Sequence, residues 1–229
     1  MQMSACILLF VKAPRPGTVK SRLARTIGQE HATRLYENFV WDLLELLQTL
    51  PIKSFIFYAP ADEADFVRNW LGQEHSCHGQ EGEELGARMA NAFRKVFHLG
   101  YKKAMIIGSD SPDLPSDYLQ EALTALQEQN VVIGPAKDGG YYTLGFTQQG
   151  FLPEVFQDIC WSTQTVLANT LDILEQHQKI AHKLPLWYDV DTLDDLRLFY
   201  LRNQQLNPDS HTMQYLIQHQ NEIFPARAT

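Results

Sequence analysis

Residues Cys6–Leu23 read CILLFVKAPRPGTVKSRL, and the fold is decided there. Cys6–Val11 is apolar at every position, so both faces of the strand it predicts are buried, as in a parallel sheet covered on each side. Two prolines and Gly17 then stiffen and turn the chain. Lys12, Arg15, Lys20 and Arg22 crowd the exit of the strand before a helix begins. Backbone N–H groups at a helix start, joined by Lys20 and Arg22, suit an anion; a rigid turn with solvated lysines is the plain alternative. The GxxxxGK[ST] pattern is missing and no GxGxxG follows the strand, so an ordinary ATPase or dinucleotide site loses its main support.

Outward from this stretch, short β-rich runs alternate with longer amphipathic ones. Strands are expected at Ser54–Tyr58, Ala104–Gly108, Val131–Gly134 and Tyr141–Phe146, with a further strand near Leu184–Val190. Helices are expected at Gln29–Leu50, Asp62–Leu71, Leu85–Leu99, Ser116–Gln129, Thr163–Gln176 and Leu193–Asn203. Strand–helix alternation argues an α/β sandwich with a mostly parallel central sheet. No linker splits the first 200 residues, so 1–203 reads as one domain. Gln204–Ser210 reads as a linker, and 204–229 as an extension with a surface helix at Thr212–Ile223. In open sheets ligands bind beyond the carboxyl ends of strands, which directs attention to the residues after Val11, Gly108, Gly134 and Val190.

The 229 residues are 45% hydrophobic and 20% charged, an ordinary globular composition. Formal net charge is −8, which argues against a general nucleic-acid binder. The distribution is uneven. Residues 1–29 hold Lys12, Arg15, Lys20, Arg22 and Arg25 with no acid, leaving 14 basic against 27 acidic residues in the rest. A compact cationic loop on an acidic chain suits a small polyanion such as a phosphate ester. No apolar run reaches the roughly 18 residues of a membrane helix, and the first one lacks a cleavage site. Three cysteines (Cys6, Cys77, Cys160) are too few and odd for a disulfide scaffold. A cytoplasmic protein without membrane contact is expected.

Three further strand ends carry polar motifs. GSDSPDLP (Gly108–Pro115) offers Asp110, placed to share a magnesium ion with substrate phosphates, and Asp113, suited to cap the following helix. GPAKDGGYYTLGF (Gly134–Phe146) sets Asp138 before Gly139–Gly140; a hairpin turn and a ligand lying on bare backbone are both open. YDVDTLDDL (Tyr188–Leu196) packs four acids into seven residues. Thr192 with Asp194 and Asp195 reads as a helix start. Asp189 and Asp191 have no such duty and would repel each other unless a cation or the basic loop neutralised them. The spacing His75-Ser-Cys77-His78 fits no established zinc pattern, and Cys160 has no base partner in sequence.

Together FVKAPRPGTVKSRL, GEELGARM, GSDSPDLP, GPAKDGGYYTLG, CWST and YDVDTLDDL resemble the bacterial glycosyltransferase A family of the nucleotide-diphospho-sugar transferase superfamily. That family was formerly a domain of unknown function and is associated by name with arsenosugar biosynthesis. Ser21 stands where it usually has threonine, and Asp110 with a later Asp replaces a strict D-x-D triplet. The resemblance implies a GT-A (Rossmann-like) three-layer sandwich. It also implies a metal-dependent glycosyltransferase that takes a nucleotide-diphosphate sugar and a small-molecule acceptor. Asp110 and Asp191 would hold Mg2+ or Mn2+. Lys12, Arg15, Gly17, Lys20, Arg22, Gly139, Gly140 and Trp161 would bind substrate, and Asp138 would be the base. Molybdenum-cofactor and phospholactate guanylyltransferases share the superfamily, so nucleotidyl transfer is the alternative.

Overall fold

The computed structural model describes residues 5–225. Its strands are β1 (Ala5–Lys12), β2 (Lys53–Ala59), β3 (Cys77–Gly79), β4 (Lys103–Ile107), β5 (Val131–Pro135), β6 (Tyr141–Thr147) and β7 (Ala181–Lys183). They form one sheet in the order β3-β2-β1-β4-β6-β5-β7. β6 alone runs antiparallel to its neighbours β4 and β5. The helices are α1 (Ser21–Ile27), α2 (Gln29–Gln48), α3 (Ala64–Leu71), α4 (Leu85–His98), α5 (Ser116–Glu128), α6 (Val166–Gln176), α7 (Leu193–Leu206), α8 (His211–Gln218) and α9 (Gln220–Ile223).

The apolar-on-both-faces reading of β1 is what the packing requires. Ile7, Leu9 and Val11 face one core with α2, α3 and α5, whereas Cys6, Leu8 and Phe10 face another with α4. β4 divides alike, Met105 and Ile107 against Ala104 and Ile106. These are the two faces of a doubly covered α/β sheet. α2 is buried on two sides: Tyr36, Val40 and Leu43 lie on the sheet, and Ala32, Leu35 and Phe39 support a third cluster with α1, α7 and α8.

Three expectations are corrected. The strand near Leu184–Val190 lies earlier, at Ala181–Lys183. Pro185 has no N–H to give a ladder, so the chain beyond runs beside β5 only through Leu184 N–H to Ile133 and a Trp187–Ala136 bridge. The helix expected at Thr212–Ile223 is two pieces, α8 and α9, a surface segment whose outer side carries Gln214, Ile217 and Gln218 and whose inner side is packed. Met213, Leu216 and Ile223 are buried in the third cluster. α7 also continues into the stretch read as linker, ending at Leu206.

Candidate active site

β1 sits between β2 and β4, so the chain leaves β1 to one side and returns on the other. The carboxyl ends of β1 and β4 therefore flank a topological switch point. A cleft of about 630 Å³ opens there, lined among others by Lys12, Lys20, Arg22, Arg88, Asp110 and Asp138. Gly140, Trp161, Asp189 and Asp191 also line it.

Lys20 is the hub. It precedes α1 in the left-handed conformation (φ 47°), unusual for a side chain of this size. Its side chain is 2% exposed, and its Nζ lies 2.5 Å from Asp110 Oδ1 and 3.0 Å from Asp191 Oδ1. The two acids thus meet on one ammonium, while their own side chains stay 50% and 37% exposed. Burial works against the Lys20 charge, yet Asp110 and Asp191 outweigh it and hold the ammonium above the ordinary lysine value. Burial likewise raises Asp191, but the Lys20 charge prevails and lowers it overall. Arg22 Nη1 stands 3.7 Å from Asp191 Oδ2.

The expected repulsion of Asp189 and Asp191 is relieved in two ways. Asp191 takes the ammonium. Asp189 is pushed up to about 7, first by burial and then by the Asp110 charge, and accepts a 2.8 Å hydrogen bond from Ser111 Oγ. Val190 N–H donates to the Asp110 carbonyl at 2.8 Å, lashing the two acid-bearing segments together. Asp113 does not cap α5, whose N-cap is Pro115. It accepts from Arg202 Nε and Asn203 Nδ2, each at 2.7 Å, and from Trp187 Nε1 at 3.3 Å. The acid that looked like a turn residue docks α7 under the site. Thr192 and Asp195 do form a capping box at the start of α7.

Asp138 is exposed, and its Oδ1 accepts the Gly140 N–H at 2.8 Å, which fixes the turn. The indole of Trp161 packs on Gly86, and its Nε1 is buried without a hydrogen-bond partner among the described residues.

Three residues expected to bind substrate do not line the cleft. Arg15 is turned aside by Glu63 (2.7 Å) and lies over the Phe66 ring. Gly17 (φ +83°) backs onto Gln29. Gly139 (φ +91°) lies against the Gln164 backbone and accepts the Leu167 N–H at 2.9 Å, seating α6. Sequence reading also passed over Tyr36. Its hydroxyl accepts the Lys12 N–H at 2.7 Å and is 2.8 Å from Ser109 Oγ, joining the two strand ends. Nothing in a helical repeat marks such a residue. Arg88, in contrast, stood inside GEELGARM.

Asp110 and Asp191 fit a magnesium or manganese ion. Both are hard oxygen donors, and each keeps one carboxylate oxygen off the Lys20 ammonium, on a side chain more than a third exposed.

The family model for uncharacterized proteins conserved in bacteria (DUF2064) matches residues 43–163. No curated protein matches the sequence. Among solved structures, a Desulfovibrio desulfuricans G20 protein provisionally named a nucleotide-diphospho-sugar transferase is 40% identical. The match covers 96% of this chain and 97% of that one, with a TM-score of 0.93. A cytidylyltransferase from Leptospira borgpetersenii shares the fold at 14% identity and TM-score 0.57, covering 99% of both chains. So does Rv0371C of Mycobacterium tuberculosis H37Rv, in complex with manganese, at 16% identity and TM-score 0.53, covering 85% of this chain and 97% of that one. These matches agree with the resemblance carried by the strand-end motifs, and the chain belongs to the DUF2064 family.

Proposed function

We propose that this chain, a transferase, moves a sugar from a nucleotide-diphosphate donor to a small-molecule acceptor. The observation that carries the reading is the meeting of Asp110 and Asp191 on the buried Lys20 ammonium, at the mouth of a strand-end cleft. The two acids would hold Mg2+ or Mn2+, which when bound stabilises charge building on the leaving nucleotide diphosphate. Lys12 and Arg22, lining the same cleft, meet the donor phosphates. Asp138, its Oδ1 occupied by Gly140, keeps Oδ2 for the acceptor hydroxyl proton. Gly140 leaves bare backbone in the cleft and Trp161 forms a wall. Arg15, Gly17 and Gly139 hold the loop and the turn in shape. The three unpaired cysteines support a reducing compartment, the cytoplasm. No helix among the described residues is long and apolar enough to cross a membrane.

Nucleotidyl transfer is the second reading, favoured by Arg88, a fourth cation on the cleft wall. There a substrate phosphate attacks the α-phosphorus of a nucleoside triphosphate and pyrophosphate leaves. Incubation with magnesium and labelled nucleotide sugars, or with triphosphates and an acceptor phosphate, separates the two. Sugar transfer that is lost in Asp110→Asn supports the first reading. Pyrophosphate release replaces it with the second.

A further inference from the structure

On the far side of α2 from the sheet, His31, His219 and Glu222 converge. One donor atom of each lies within 4.8 Å of the other two. His31 Nε2 is 3.3 Å from Glu222 Oε2, and His219 Nδ1 is 2.9 Å from Glu222 Oε1. Around a four-coordinate zinc ion, with bonds of roughly 2.0–2.2 Å, neighbouring donors sit about 3.3–3.6 Å apart. Both gaps to Glu222 are already at or inside that spacing, and the His31–His219 gap, within 4.8 Å, is the one that side-chain rotation would close on an ion.

A second feature aims it. His31 Nδ1 is 2.8 Å from the Tyr215 hydroxyl, an outer contact that holds the ring with Nε2 facing inward. The His219 ring lies on Tyr215 at 4.5 Å between centroids and crosses His31 at 5.3 Å. Two imidazoles and one carboxylate are a donor set suited to zinc rather than magnesium. None of the three residues lines the cleft.

We propose that His31, His219 and Glu222 bind one zinc ion, with solvent completing the coordination, and that the ion clasps α9 to the first turn of α2. His31 and His219 stand 188 positions apart in the chain, so the ion would tie distant segments. Ile223, buried beneath, marks the turn it secures.

Tag-free, metal-stripped protein titrated with Co(II) tests the site. One equivalent should give the intense visible bands of four-coordinate cobalt, and Zn(II) should abolish them. Glu222→Gln and His219→Ala, both at solvent-accessible positions, should each weaken binding at least about tenfold. The Asp110→Asn/Asp191→Asn double variant should bind as tightly as the parent, which separates this site from the cleft. Zinc should also slow proteolytic cleavage at the 219–225 turn. Absence of the visible bands overturns the proposal, as does unchanged affinity in both single variants. Equal cleavage with and without bound zinc overturns the clasp. A variant that has lost its parent circular dichroism is replaced by His31→Gln, under the same two outcomes.

Discussion

Lys20 Nζ lies 3.0 Å from Asp191 Oδ1 across 171 positions of sequence. That bond joins the first strand's exit loop to the segment before α7, and Asp110 completes it from the end of β4. One buried positive charge organises two acids that would otherwise repel. The electrostatics are asymmetric, because the lysine is buried and the carboxylates face the cleft.

The asymmetry predicts unequal costs. Lys20→Met leaves two partly solvated carboxylates and should cost about 1 kcal/mol or less. Asp110→Asn with Asp191→Asn strands an ammonium away from water and should cost about 3–5 kcal/mol. Lys20→Met should also tighten divalent-ion binding, since the acid pair then loses its buried counter-charge and keeps only the more distant Arg22. Urea unfolding and magnesium titration check both. Equal costs would refute the asymmetry between a buried ammonium and solvated acids.

Asp113 accepts from Trp187, Arg202 and Asn203. Asp113→Ala should lower stability by about 2–4 kcal/mol, because buried donors lose their acceptor. Asp113→Asn should recover part of that. The urea midpoint reads the effect; a midpoint within error of the parent refutes the anchoring role.

Asp42 on α2 accepts the N–H groups of His211 (2.7 Å) and Thr212 (3.1 Å) at the start of α8. Burial outweighs these bonds and pushes the carboxyl up to about 6 from 3.8. The folded protein then keeps this proton to higher pH than the unfolded chain. Stability contributed by the protonated group is complete below about pH 4 and lost as pH rises through 6. Measured against Asp42→Asn, wild-type stability should fall by about 3 kcal/mol between pH 3 and pH 7. A difference that stays flat over this range, or rises, contradicts the shift.

Gly139 has φ +91° and no room for a side chain against Gln164. Gly139→Ala meets both left-handed strain and a backbone clash, about 2 kcal/mol or more together. The melting temperature should drop by about 4–8 °C. Asp138 sits one residue earlier, so turnover should fall as well. A variant that melts and turns over like the parent would show that the turn tolerates Cβ.

Local chemistry was enough for much of this molecule. The apolar run Cys6–Val11 dictated a doubly buried strand, because no exposed face could carry those side chains. Helical spacing placed α2, α4 and α5 within a residue or two, and the Thr192–Asp195 box marked the start of α7. Asp110, Lys20 and Asp191 were legible as cleft residues because strand ends are where open sheets bind ligands. Partnership was not legible, because it depends on which strand ends the topology sets side by side. Only the tertiary structure turned Arg15 to Glu63, gave Asp113 to Arg202, and put Tyr36 between Lys12 and Ser109. It alone brought His31 to Glu222. Periodicity reports which face of an element is buried; it holds no information about what waits across the interface.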